Sequence, residues 1–411
     1  MKFLVKALVT VYWFLLFGGI SQAQSLTSPH GGAATSQPSR TNHGISFDFA
    51  NLDVPIAGVA AGETVVFVGE PLNANVVVLS RLSGQQIGVL PPPPNGFAVP
   101  FIMHILEPGR LAVLDAGGLP QPSPFVPVMP AIYEYTYGFG PGGFSATLVR
   151  TISFASVLIG FPEDFVRLDD GRYLMSDSIL GSIWIAQPDG TITPGIVPRS
   201  FDPSDLIPTL AFCPTMPEVI VNGYPFLFTG STLPGVSPLA VRRGTVYYYS
   251  PCARGIYSFP LAVLSNNQAP YQRATEISLV APTPSDIEVE ELLDFSFNPY
   301  NDADPFLYAA QPLQLQVIQI DLTNGAREVL ASGAQLFDFP SSLAFLPPGI
   351  PATELLVVSN QQERTPLTND AVTQTTFHLP FVVAQVLVKP GGGPLPAPAR
   401  SESRITQFKG R

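Results

Sequence analysis

The sequence predicts an all-β fold, a six-bladed β-propeller with four antiparallel strands per blade and the ring closed by a terminal strand. Three observations carry this: a repeated glycine-strand-polar unit, an apolar strand at a fixed step after it, and hairpin dipeptides between later strands. The unit is clearest in Gly109-Arg110-Leu111-Ala112-Val113-Leu114-Asp115 and Gly171-Arg172-Tyr173-Leu174-Met175-Ser176-Asp177; Gly244 to Ser250 repeats the spacing with a terminal serine. Ahead of each unit lies a first strand, opened by Pro100-Phe101-Ile102-Met103, Pro162-Glu163-Asp164-Phe165, Gly235-Val236-Ser237-Pro238, Leu292-Leu293-Asp294-Phe295 and Pro340-Ser341-Ser342-Leu343, with Pro55-Ile56-Ala57-Gly58 in the first copy. Six residues after the second-strand end comes a third strand, such as Ile183-Trp184-Ile185 or Val317-Ile318-Gln319-Ile320. Ser83-Gly84, Asp189-Gly190 and Asn324-Gly325 then suit the positive-φ positions of hairpin turns into a fourth. Second strands end at Glu70, Asp115, Asp177, Ser250, Gln311 and Asn360, at intervals of 45, 62, 73, 61 and 49 residues. A solenoid would show shorter, more regular repeats. Residues 45–49 are the better closing strand, because 405–408 follow a Pro/Gly-rich segment at 390–398. A seventh blade, if there were one, would come from 205–230, which holds Glu218-Val219-Ile220-Val221 and an Asn222-Gly223 turn.

The termini set the cellular context. Lys2 and Lys6 precede an apolar run from Ala7 to Ile20 that ends at Ser21-Gln22-Ala23, the pattern of a secretory signal peptide over 1–23. A membrane anchor needs about 20 continuous apolar residues, and Ser21, Gln22 and Gln24 interrupt this run. The expected layout is therefore a signal peptide (1–23), a disordered arm (24–42), the propeller (43–390) and a flexible tail (391–411), in a secreted or periplasmic monomer that does not span the membrane after cleavage. Removing Lys2 and Lys6 takes the formal charge from −11 to −13, which argues against nucleic-acid or anionic-membrane partners. Charged residues are only 12% and hydrophobic residues 46%, so lack of burial does not disorder most of the chain. Cys213 and Cys252 are the two cysteines. In an oxidising compartment they are expected to form a disulfide closing a loop of about 40 residues, two buried thiols being the alternative.

Pro162-Glu163-Asp164-Phe165, Asp170-Gly171, Ser176-Asp177-Ser178 and Gly181-Ser182-Ile183-Trp184 through Asp189-Gly190 resemble one blade of the senescence-marker-protein/gluconolactonase-like propellers, with their strictosidine-synthase-like and NHL-repeat relatives. Gly244 to Pro260 and Val317 to Gly325 resemble further blades. The resemblance spans roughly 45–390 as a pattern of short motifs. It implies a divalent cation, often calcium, over the central channel, and lactone or ester hydrolysis. Position by position, the family's metal-binding Asn falls on Glu163; its counterparts in the next two blades fall on Val236 and Leu293, which carry no ligand atom, and the first blade offers Ala57 or Gly58 in place of Glu. Asp164, Ser237 and Asp294 stand one register along. The candidate metal residues are thus Glu163, Asp164 and Asp294, set against a need for six to eight oxygens.

Antiparallel blades place first-strand starts and second-strand ends on one face. Glu163, Asp164, Ser237, Asp294, Ser341 and Ser342 are expected near the axis there, inside a ring of Glu70, Asp115, Asp177, Ser250, Gln311 and Asn360. The long insertions at 116–131, 198–234 and 361–381 share that face. Such a mouth suits a small molecule, glycan or peptide, although ring polars also serve simply to cap strand ends. Gly138-Phe139-Gly140-Pro141-Gly142-Gly143 matches a phosphate-loop pattern only formally and reads as a hairpin turn. Of the four histidines, His104 on a first strand and His378 in the last insertion are the acid-base candidates, each more readily explained as structural. Asn301-Asp302-Ala303-Asp304 reads as a solvated turn on the opposite face. Two function classes remain: an exported binding propeller, and a hydrolase in which Glu163 or Asp164 activates water, with or without a metal.

Overall fold

The computed structural model describes residues 46–118, 129–200, 202, 204–211, 219–226, 235–287, 289–347, 353–364 and 374–388. The expected signal peptide, arm and tail, and Cys213, lie outside the described residues. Six four-stranded antiparallel sheets form the ring. The chain begins at β1 (Ser46–Leu52) and builds blade 1 from β2 (Ala57–Ala61), β3 (Val65–Glu70), β4 (Asn75–Ser80) and β5 (Gln86–Val89). Blade 2 follows with β6 (Pro100–Glu107), β7 (Arg110–Asp115), β8 (Ala131–Gly140) and β9 (Gly143–Ser153), and blade 3 with β10 (Pro162–Arg167), β11 (Tyr173–Asp177), β12 (Ser182–Ala186) and β13 (Ile192–Ile196). A separate hairpin, β14 (Val219–Val221) with β15 (Tyr224–Phe226), precedes blade 4, which is β16 (Leu239–Arg242), β17 (Thr245–Ser250), β18 (Gly255–Pro260) and β19 (Ser278–Pro282). Blade 5 is β20 (Asp294–Phe297), β21 (Phe306–Gln311), β22 (Gln316–Asp321) and β23 (Arg327–Ser332). Blade 6 combines β24 (Pro340–Phe345), β25 (Thr353–Ser359) and β26 (Phe381–Val388) with β1 as its outermost strand.

Both termini of the ring therefore meet in one sheet, as residues 45–49 lead one to expect: Ser46 pairs with Val386 and Leu52 with Phe381. The segment that might have made a seventh blade supplies, among the described residues, only the β14–β15 hairpin, turned by Asn222 and Gly223 at φ 49° and 82°. Gly140 pairs with Gly143, so the formal phosphate-loop motif is a hairpin turn.

The core lies between blades. Along β3, Val66 and Val68 pack toward blade 6 with Leu356 and Val358, while Val65 and Phe67 pack toward blade 2 with Leu111, Val113 and Tyr135. Middle strands are thus buried on both faces, which is why they read as continuous apolar runs rather than as alternation. Ser83-Gly84, Asp189-Gly190 and Asn324-Gly325 turn as expected, with φ of 66°, 88° and 74° at the glycines.

Gly84 also holds the ring's seam. A Cβ there would lie 2.2 Å from the Phe49 carbonyl oxygen of β1, whereas a Cβ on Gly190, at a similar φ, would meet nothing within 4 Å. Gly84→Ala is expected to destabilise the protein by about 3 kcal/mol and Gly190→Ala by about 1 kcal/mol in urea unfolding. Equal losses would show that the closing strand is not packed against this turn.

Candidate functional site

The mouth face is built from first-strand side chains whose register is set by pairing with second strands. Phe165 pairs with Met175, two residues before Asp177, and Leu239 pairs with Tyr248, two before Ser250. Ser237 is therefore the counterpart of Glu163, and Pro238 of Asp164. The expectation that set Val236 beside Glu163, and Ser237 beside Asp164, was one residue out. The cause is a bulge: the register of β10 on β11 shifts between Pro162 and Asp164, leaving Glu163 as the extra residue. Asp294, paired with Ala310 just before Gln311, does match Asp164. In blade 6 Pro340 pairs with Ser359, as Pro162 pairs with Asp177, so Ser359 rather than Asn360 holds the sixth ring position.

Asp164 and Asp294 do the same mechanical job. Asp164 Oδ2 accepts the backbone N–H of Leu239 at 2.7 Å, linking blade 3 to blade 4. Asp294 Oδ2 accepts the N–H of Leu343 at 2.8 Å and the Ser342 hydroxyl at 2.9 Å, linking blade 5 to blade 6. Ser342 Oγ in turn accepts the N–H of Val59 at 3.2 Å, linking blade 6 to blade 1. At the matching point of blade 1 stands Gly58, where a Cβ would lie 2.1 Å from the Phe101 carbonyl oxygen; no side chain fits there. His104 approaches Asp164 Oδ1 at 3.5 Å with its side chain 38% exposed. Desolvation pulls its imidazole down, but the Asp164 hydrogen bond and the charges of Asp164 and Asp294 outweigh this and raise it. Burial and the Asp164 charge push Asp294 up to about 7.

The outer ring organises loops. Asp115 accepts the N–H groups of Ala98, Val99 and Gly117 at 2.7, 2.8 and 2.9 Å. Asp177 accepts those of Gly160, Phe161, Ile179 and Leu180 between 2.8 and 3.2 Å; burial nevertheless pushes it up to about 6 against those donors. Ser250 Oγ accepts the N–H of Ala253, Glu70 accepts the Asn73 and Asn75 amides, and Asn360 accepts the N–H of Gln362. Gln311 donates to Glu290 Oε1 at 2.8 Å. Ser341 Oγ donates to the Val358 carbonyl at 3.4 Å. The β14–β15 hairpin lies against the segments that enter blades 5 and 6. Val221 and Phe226 pack with Val289, Leu293 and Phe339, while Asn222 donates to Asp338 and Arg364 stacks on Tyr224. His378 Nε2 faces Arg364 Nη1 at 3.4 Å, so it belongs to that cluster and accepts a hydrogen bond there.

Glu291 is the residue the sequence reading passed over. It precedes β20, is wholly buried, and neither carboxyl oxygen meets a hydrogen-bond partner among the described residues. Burial and the Glu163 charge push it up to about 8. Glu163, 7% exposed, receives a 3.0 Å hydrogen bond from Ser178; burial outweighs that bond and, with Asp164 and Asp177, pushes it up to about 7. Ser237 Oγ, also fully buried, likewise has no partner. The adjacent Glu290 shows the contrast. Its Oε1 accepts from Gln311 and Arg327, and its Oε2 from Thr283 and Tyr249.

A calcium ion does not fit this donor set as folded. Among the described residues no group of three or more His, Cys, Asp or Glu side chains stands where it could hold a metal ion. Asp164 Oδ2 and Asp294 Oδ2 are committed to the next blade, far short of six to eight free oxygens.

Two substitutions should separate clamp from site in urea unfolding. Asp294→Ala, which removes the links to blade 6, is expected to cost roughly 3 kcal/mol. Glu163 and Glu291 both hold protons more tightly folded than unfolded, where the ordinary value is 4.5. The folded state thus binds more protons between pH about 4.5 and 8, so stability falls as pH rises through that window. Glu291→Gln should match the parent at pH 5 and exceed it at pH 8; a variant equally or less stable at pH 8 would contradict the assigned environment.

No protein-family model matches the chain, and no curated protein is significantly similar to it. Solved structures do match. A luciferin-regenerating enzyme superposes with a TM-score of 0.51 at 13% identity, over 86% of this chain and 97% of that one. A gluconolactonase from Xanthomonas campestris gives 0.46 at 14% identity, over 88% and 99%. A calcium-binding regucalcin from Agrobacterium tumefaciens gives 0.48 at 13% identity, over 85% and 97%. At these identities the likeness is one of fold alone, and the chain is a six-bladed β-propeller, as its blade motifs predict.

Proposed function

We propose that this is an exported propeller that binds a small polar molecule at the channel mouth, against Glu163, Ser237 and Glu291. The observation that carries this reading is the Glu291 carboxyl, buried without a hydrogen bond beside another raised carboxyl. Leaving such a group unpaired costs on the order of 1 to 3 kcal/mol, and local violations of this kind concentrate where a ligand supplies the missing partner. A second reading, lactone or ester hydrolysis, has its own support: burial brings Glu163 to about 7, where a carboxyl both gives and takes protons at neutral pH. In that reading Glu163 acts on water or the leaving group directly. Glycans and peptides are further occupants of the same face.

Binding is tested by thermal shift of the mature protein against a panel of small polyols, amines, carboxylic acids and lactones, with lactone and ester turnover followed in parallel. At least one class should raise the melting temperature of the parent and fail to do so in Glu291→Gln. A panel that shifts neither protein, or shifts both equally, would overturn the mouth as the ligand site. Turnover lost in Glu163→Gln would favour the hydrolase.

Export and the cysteine pair are tested together by intact mass. Among the described residues no cysteine is free, which supports the Cys213–Cys252 disulfide, and no helix is long and apolar enough to cross a membrane. Protein recovered from the exporting compartment should begin at Gln24 and take up two alkyl groups only after reduction. A retained N-terminus, or two alkylated thiols in unreduced denatured protein, would refute export or the disulfide respectively.

A further inference from the structure

Glu163, Ser237 and Glu291 come from three successive blades: Glu163 and Ser237 each stand two residues ahead of the equivalent paired residues Phe165 and Leu239 of blades 3 and 4, and Glu291 leads into blade 5. All three present acceptor oxygens, and among the described residues Glu291 and Ser237 meet no hydrogen-bond partner though fully buried. Among the described residues no basic group acts on Glu163 or Glu291. The charges that act on Glu163 are those of Asp164 and Asp177, and the one acting on Glu291 is that of Glu163. Arg327 gives its Nη1 to Glu290 and is not among the charges that act on Glu163 or Glu291. What Glu163, Ser237 and Glu291 lack is a positive charge bearing several hydrogen-bond donors.

A metal ion would bring charge without donors and would need oxygens that Asp164 and Asp294 have given to the next blades. An ammonium group brings one charge and three N–H donors in a pyramid, and charge-assisted bonds to carboxylates are about twice as strong as neutral ones. We propose that Glu163, Ser237 and Glu291 form a recognition site for the ammonium group of a small primary amine, a proposal that rests on reading the channel mouth as a small-ligand site. The two glutamates supply the charge, Glu291 releasing its proton to solvent as the ammonium enters, and the serine hydroxyl is the third, neutral acceptor.

The experiment titrates propylammonium chloride, propan-1-ol and calcium chloride separately into the mature protein at pH 7.5, by calorimetry and thermal shift. Propylammonium is expected to bind saturably and raise the melting temperature. Glu291→Gln, an isostere, and Ser237→Ala, which removes only the hydroxyl, should each weaken it at least tenfold while circular dichroism stays unchanged. Propan-1-ol binding as tightly as propylammonium would overturn the ammonium site and leave the small-ligand mouth standing. Stoichiometric calcium binding lost in Glu291→Gln would overturn it in favour of a metal site. Absence of propylammonium binding, with another class active in the wider panel, would overturn this proposal alone; absence of all binding would overturn both readings.

Discussion

Every blade of this ring has two faces to bury, and each can bury them only against its neighbours. Val66 and Val68 face one way and Val65 and Phe67 the other from a single strand, so no blade has a core of its own. The structure depends on the ring being closed, and closure is achieved at two radii. At the periphery β1 completes blade 6 beside β26. Near the axis, Asp164, Asp294 and Ser342 each reach from one first strand to a backbone N–H of the next blade. These inner links explain carboxylates so close to the channel without appeal to a ligand, and they remove two of the three candidate metal residues from availability.

The legible part of the fold was the part buried on both faces. Middle strands such as Val65–Glu70 and Phe306–Gln311 stand out as apolar runs closed by a polar residue, and their spacing gave the blade count. First strands were less legible because a bulge adds a residue at their start. A repeat pattern carried across blades then slips by one, as at Ser237, and the ring position at the end of β25 likewise falls on Ser359 and not on Asn360. The closing strand was legible because the competing C-terminal segment is interrupted by proline and glycine.

The candidate site was half legible. Glu163 was identifiable because it begins a recognisable first strand. Glu291 was not, because Glu290-Glu291 reads as an ordinary solvated pair and only the fold reveals that both are buried. One signal was present: the pair sits inside Val289-Glu290-Glu291-Leu292-Leu293, an apolar frame immediately ahead of an inner strand. Adjacent charges in an apolar frame, at a point the topology carries to the channel mouth, deserve weight before a structure exists.

The two glutamates also show how a structural acid differs from an acid held for another purpose. Glu290 is surrounded by Thr283, Tyr249, Gln311 and Arg327, so that both its oxygens are satisfied and its charge is matched. Its neighbour is buried just as fully with no partner at all. The chain can evidently satisfy a carboxylate at this place in the fold, and one residue later it does not. Folding alone gives no reason for that difference, because leucine at position 291 would avoid the desolvation altogether. The Ser237 hydroxyl, at the start of the preceding blade, is equally bare among the described residues. Two buried groups left unpaired, Ser237 on blade 4 and Glu291 at the entry to blade 5, are more economically explained by a molecule that enters the mouth than by two separate defects in packing.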